Sequence, residues 1–164
     1  MADLSGGHRV PTGIAVDAEG NAFVGFEMTP PYEDGASKVV KITPDGTVAD
    51  HWTGLTAVTD VAFGPDGVHY AAEMATGYTS EEPFLRPDSG RIVRQTGPDS
   101  LEPVVTELPY LVGLKFDGDG RLVFSEPTFG PDGGVGQGVL LAFDPGAGPM
   151  SYATVEVPDG QACG

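Results

Sequence analysis

Three glutamates recur at matched positions in this chain, and what they could bind is the first chemical question it poses. Glu27, Glu73 and Glu126 each close an apolar run, in Phe26-Glu27-Met28, Ala72-Glu73-Met74 and Ser125-Glu126-Pro127. Glu73 and Glu126 lie six residues after Gly67 and Gly120, and Glu27 lies seven after Gly20. Asp60 heads the run that precedes Gly67. Carboxylates gathered at one mouth repel each other unless a cation or hydrogen-bond donors compensate them, and oxygen ligands suit a hard ion such as Ca²⁺. Two roles are open to Glu27, Asp60, Glu73 and Glu126. They can ligate one divalent cation, or they can accept backbone N–H groups from the connections beside them.

Aromatic residues fall close by in sequence. Tyr32, Tyr78, Phe84 and Phe129 lie in proline-containing stretches and could grip an apolar or aromatic ligand, or simply pack the loops. Other chemistries are poorly supplied. His8, His51 and His69 lack the HExxH spacing and fall on different parts of the chain, and His69 beside Tyr70 reads as a surface or satisfied strand residue. Cys163 is the single cysteine, which excludes an intrachain disulfide and a CxxC zinc framework. There is no Gly-x-Ser-x-Gly elbow, P-loop or dinucleotide fingerprint. The glycine-rich run from Gly133 to Gly138 precedes a strand pattern, so it has no helix dipole to offer a phosphate. Asp117-Gly118-Asp119-Gly120 opens like an EF-hand loop but continues with Arg121 and reads as a turn.

Eight basic residues against 24 acidic ones give a net charge of −16. That balance argues against a nucleic-acid groove or an anionic membrane surface as partner, and leaves solubility or cation binding as the use of the acidity. Residues 1–10 contain no apolar core of signal-peptide length, and no segment approaches the ~18 apolar residues of a membrane span.

The elements that must position these groups are short. With 25 glycines and 15 prolines, the longest stretch free of both is nine residues, at 55–63 and 68–76, below the ~11 of an average helix. The glycines and prolines are periodic. Residues 13–24 recur as 60–71 and again as 113–124, with Gly20, Gly67 and Gly120 spaced by 47 and 53 residues. Each copy is a pair of alternating runs joined by an acidic-Gly turn, which is a β-hairpin signal. A second hairpin follows each first one: 39–42 into 47–52, 91–94 into 101–105, and 139–143 into 152–157.

Four strands per unit at a period near 50 is the signature of β-propeller blades. The fold expected is all-β, a single partial propeller over residues 1–164 with blades at 10–54, 55–108 and 109–158. In such blades the A–B and C–D turns share one end, and the longer B–C loops (28–37, 75–89 and 127–137) share the other. Long loops on a rigid scaffold are where sites usually lie, so a site is expected at the loop end.

With the repeats aligned, the chain resembles the ScyD/ScyE family of β-propellers, related to NHL-repeat and gluconolactonase-like propellers. The resemblance rests on Val10-Pro11-Thr12-Gly13-Ile14-Ala15-Val16, on Thr59-Asp60-Val61-Ala62-Phe63-Gly64-Pro65-Asp66-Gly67, on Ala72-Glu73-Met74 and on Gly90-Arg91-Ile92-Val93-Arg94. It covers residues 10–145 and implies an exported six-bladed ring, hence an extracellular or periplasmic location. Gluconolactonase-like propellers hold a divalent metal with Glu, Asn and Asp. The one asparagine here, Asn21, sits in a turn, so that ligand set is not matched residue by residue.

The function expected first is a binding module that recognises a small molecule or a partner on the loop face, with Tyr32, Tyr78, Phe84 and Phe129 as contacts and Ca²⁺ held by Glu27, Asp60, Glu73 and Glu126. The alternatives are a metal-dependent lactonase or cyclase-like enzyme and a structural fragment of a larger propeller. Three blades are half of a six-bladed ring and expose apolar faces at both ends, so self-association is expected, with a homodimer completing the ring.

Overall fold

The computed structural model describes residues 4, 9–82, 84–127 and 138–152. The polypeptide forms β1 (Arg9–Val16), β2 (Ala22–Met28), β3 (Ser37–Ile42), β4 (Val48–Leu55), β5 (Val58–Phe63), β6 (His69–Glu73), β7 (Gly90–Gly97), β8 (Ser100–Leu108), β9 (Gly113–Phe116), β10 (Leu122–Glu126), β11 (Val139–Phe143) and β12 (Met150–Ser151). Antiparallel sheets β1-β2-β3-β4, β5-β6-β7-β8 and β9-β10-β11 are three successive propeller blades. The innermost strands stand side by side, β1 against β5 and β5 against β9. The chain is a partial all-β propeller.

The sequence repeat is visible as repeated local chemistry. In the first hairpin of blade 1, Asp17 Oδ1 accepts from the backbone N–H of Glu19 (3.1 Å) and Asn21 (2.8 Å), and Gly20 takes φ +81°. Asp117 does the same for Asp119 and Arg121 in blade 3, with Gly120 at φ +80°. The EF-hand-like tetrad is thus a turn, and Asn21 is spent on Asp17, to which its side chain also donates at 2.7 Å. The connections between blades match as well: Gly54 (φ +80°) and Ala57 (φ +42°) recur as Glu107 (φ +63°) and Tyr110 (φ +42°). Matching threonines pin the inner strands together. Thr12 Oγ1 donates to the Val58 carbonyl at 2.7 Å, and Thr59 Oγ1 donates to that of Leu111 at 3.2 Å.

Two apolar seams hold the blades. Between blades 1 and 2 lie Phe23, Val39, Trp52, Val61, Ala71 and Val93, and between blades 2 and 3 lie Tyr70, Ile92, Val104, Val105, Leu122 and Phe124. The fourth strands carry matched β-bulges. Val39 pairs with Trp52 but Val40 pairs with Asp50, which leaves His51 as the extra residue, and Ile92 with Val105 followed by Val93 with Pro103 leaves Val104. A bulge breaks the strand's alternation, so two adjacent side chains turn to the same seam.

The third blade departs from expectation. The sequence pattern predicts that the chain after β11 returns beside it as a strand over 152–157. Instead Asp144 caps a 3-10 turn at Pro145–Ala147, its Oδ1 accepting from Gly146 N at 2.8 Å, and β12 then pairs in parallel with Val105 and Thr106 of β8. Tyr152 does not continue a strand, and residues 153–157 lie outside the described residues. With Asp144 as the cap and Pro145, whose fixed φ suits a first helical position, opening the 3-10 turn, the chain passes from β11 to the edge of blade 2.

Candidate functional site: a histidine pair in the first seam

Three of the four carboxylates singled out in the sequence, Glu73, Glu126 and Asp60, have partners of their own. Glu73, fully buried at the end of β6, accepts from Thr56 N at 2.5 Å and pairs with Arg91. Burial raises its pKa, and Arg91 pulls the other way. Glu126, buried at the end of β10, is hydrogen-bonded by Tyr152, and burial raises its pKa too. Burial, together with that contact, pushes the Tyr152 phenol up to about 12. Glu27 is half-buried, with its pKa raised by burial, and Tyr32 is raised by its own burial with the Glu27 charge adding to it. Asp60 accepts from Leu114 N at 3.1 Å and from Lys115 Nζ at 3.2 Å, and so ties blade 2 to blade 3. The three glutamates do end their second strands, at the opposite end from Gly20, Gly67 and Gly120. Among the described residues no group of three His, Cys, Asp or Glu side chains is placed to hold one ion. For Glu73, the backbone-capping role left open by the sequence is the one the geometry displays.

The loop-end aromatics differ in burial. Tyr32 packs onto Ala57, Met74, Ala75, Leu85 and Tyr110, Phe84 is half-buried at φ +65°, and Tyr78 is 44% exposed. Phe129 lies outside the described residues. The loops of the first two blades are laced together by Asp34 Oδ1 accepting from Gly77 N at 2.8 Å and Thr56 Oγ1 accepting from Gly35 N at 3.0 Å.

A cleft opens at the other end, where the tight turns are. It has a volume of about 860 Å³ and sits over the seam between blades 1 and 2, with Phe23, Phe63, His51 and His69 as its walls and Asp17, Glu19 and Gln95 among its polar lining. His51 Nε2 and His69 Nδ1 share a hydrogen bond of 2.7 Å. His69 is 4% exposed and stacks on Phe63 with ring centroids 3.9 Å apart, while Phe23 meets both imidazoles edge-on at 4.7 and 4.5 Å. Burial lowers both pKa values, and the neighbouring His51 adds to the fall of His69 to about 4. The pair is therefore neutral at pH 7. His69 Nε2 is buried without a partner among the described residues.

The repeat supplies an internal control for this pair. By bulge position His51 corresponds to Val104, and by spacing from the turn glycine His69 corresponds to Leu122, both buried in the second seam. Phe23 and Phe63, edge to face at 5.2 Å, correspond to Tyr70 and Phe116 at 4.9 Å. The two seams thus share one plan, and the first replaces an aliphatic pair by two imidazoles. Sequence reasoning separated these histidines because strand alternation gives no warning of a bulge. The one available signal was alignment of His51 with Val104 and His69 with Leu122.

No protein-family model matches the sequence, and a comparison with curated proteins returns no match. Among solved structures, the chain is similar to a PQQ-bound aldose sugar dehydrogenase from Streptomyces coelicolor, at 20% identity and a TM-score of 0.58 over 95% of this chain and 52% of that one. It is also similar to a streptogramin B lyase (20% identity, TM-score 0.46, 82% of this chain and 40% of that one). A gluconolactonase-like protein gives 17% identity and a TM-score of 0.48, over 82% of this chain and 48% of that one. The chain spans about half the length of these structures, and the first of them supports the propeller fold.

Proposed function

We infer that the protein is a ligand-binding propeller module whose site is the cleft at the turn end of the first seam, and that its ligand is a small aromatic molecule, neutral or cationic. This reading is compatible with the resemblance to ScyD/ScyE propellers and puts the site at the turn end in place of the loop end expected from the sequence. The observation that carries it is the replacement of Val104 and Leu122 of the second seam by His51 and His69 in the first. Burying two imidazoles where aliphatic side chains suffice costs stability, because a polar atom left without a partner inside the fold is penalised by about 1–3 kcal/mol. A binding role explains why the cost is borne. Aromatic walls with a few convergent polar groups suit a planar ligand. The lining carries the acids Asp17 and Glu19, and Lys41 stands over the Phe23 ring at 5.5 Å from its centroid, so two carboxylates face one ammonium, which disfavours an anion.

The test uses Trp52, the single tryptophan, which follows His51 directly and lies fully buried in the same seam. Its fluorescence is titrated with a panel of aromatic amines, neutral phenols and aromatic carboxylates, against the wild type and the variant His51→Val/His69→Leu, which copies the second seam and so preserves packing. The expected result is saturable binding from the amine or phenol sets that the variant loses. No saturable response from any set, or equal binding by the variant, would overturn the assignment.

A further inference from the structure

The first and last blades each present an apolar face that the interior blade pairs cover. Blade 2 turns Val61, Phe63 and Leu101 toward blade 1, where all three join the first seam. Their repeat equivalents in blade 1 are Ile14, Val16 and Val48, on its outer face, and these are 59%, 60% and 42% exposed. At the far end of the arc, Leu140 is the equivalent of Val39, since Val39 pairs with Gly25 and Leu140 with Ser125, two repeats on. Val39 is 1% exposed in the first seam and Leu140 is 72% exposed. Exposed apolar side chains therefore stand at the positions that make seams elsewhere in the molecule. Part of the blade 1 face is already occupied, because Leu4 packs on Val24, Phe26 and Val40. The uncovered strip of Ile14, Val16 and Val48 lies beside it.

We propose that these two faces are one interface, and that its occupant is a second copy of this chain. The outer face of blade 3 in one protomer, around Val123 and Leu140, docks on the Ile14, Val16 and Val48 strip of blade 1 in the other. A twofold axis repeats the contact and closes a six-bladed ring. The two faces are complementary because each is built on the pattern of one side of the existing seam between blades 1 and 2. The chain aligns over 95% of its length with only 52% of the sugar dehydrogenase, which fits two such arcs per complete propeller. With a net charge of −16 on each copy, association is opposed by repulsion and is strengthened by salt.

Light scattering on the purified 164-residue chain at moderate and high salt tests this. A species of twice the 16.9 kDa monomer mass is expected, more populated as salt rises. Ile14→Lys and Leu140→Lys are substitutions at exposed sites, so both variants should keep the wild-type circular dichroism and yet be monomeric. Tyr78→Lys, at the loop end and 44% exposed, should leave the dimer intact. A wild type that stays monomeric at every salt concentration would assign the two faces to further blades or another partner and overturn the proposal. A dimer unaffected by Ile14→Lys or Leu140→Lys, or open-ended oligomers in place of a closed pair, would overturn it equally.

Discussion

His51 Nε2 lies 2.7 Å from His69 Nδ1 across the seam between blades 1 and 2, at the two places where the next seam sets Val104 and Leu122. One fold therefore solves the same packing problem twice, once with aliphatic side chains and once with a neutral imidazole pair. Only the second solution titrates, and burial moves that titration below the ordinary imidazole range.

Acid should weaken the first seam selectively. The folded protein holds His69 at about 4 against 6.5 in the unfolded chain, and burial lowers His51 too. Between those values the unfolded chain binds the extra proton, so stability is complete above pH 6.5 and falls as the pH drops toward 4. For His69 alone the loss amounts to about 3 kcal/mol. In a chain of this length that is a fall of about 6–12 °C in melting midpoint. Melts at pH 7 and pH 4 should show this excess sensitivity in the wild type relative to His51→Val/His69→Leu, since the difference between the two removes the contribution of the carboxylates. Parallel curves would mean that the imidazoles are not buried as a pair.

The inner strands should tolerate no side chain at Gly13. A Cβ there would stand 2.5 Å from Asp60 Cα and 2.7 Å from Val61 N, both backbone atoms of the neighbouring blade. Gly13→Ala must push β1 away from β5 and stretch the bond from Thr12 to the Val58 carbonyl. Overpacking of this kind costs about 1–3 kcal/mol. Gly113→Ala, whose Cβ would be 3.5 Å from Asp60 Oδ2, should cost much less, and urea unfolding of the two variants compares them. Equal stability would show that the blades slide apart freely.

The hairpins, the blades and the matched glutamates were legible because each depends on local chemistry that repeats: the aspartate that accepts two N–H groups, the glycine at positive φ, the alternation of strands. What decides the site is not local. Whether Glu73 faces a cation or Arg91 depends on the partner strand β7, and whether His51 meets His69 depends on one extra residue in β4. The path of the chain after β11 turned on Pro145, which favours a capped 3-10 turn over a hairpin. Tyr32 packs against the cluster of Ala57, Met74, Ala75, Leu85 and Tyr110, a contact set by how the loops fold together and not by any local pattern.

Glu73 and Arg91 give the sharpest energetic test, because the acid is fully buried while its partner's side chain is 26% exposed. Burial raises the Glu73 pKa, and what keeps the carboxylate tolerable is Arg91 together with the N–H of Thr56. Arg91→Met removes the compensating charge and leaves a buried carboxylate, a change worth about 3–5 kcal/mol at pH 7. Glu73→Gln keeps an oxygen for Thr56 N and removes the charge itself, so it should cost no more than about 1 kcal/mol. The double variant should then be more stable than Arg91→Met alone, an interaction of opposite sign to simple addition. Acid supplies a second signature. A carboxyl group whose folded pKa is raised takes up a proton on folding, so the deficit of Arg91→Met should shrink as the pH falls below that raised value, while Glu73→Gln shows no such recovery. Urea unfolding of the four proteins at pH 7 and at a series of lower pH values measures both effects. If Arg91→Met costs less than about 1 kcal/mol, the pair behaves as a surface ion pair; if the double variant is no better than Arg91→Met, the guanidinium acts through packing of its stem, and the buried charge at Glu73 is not what it compensates.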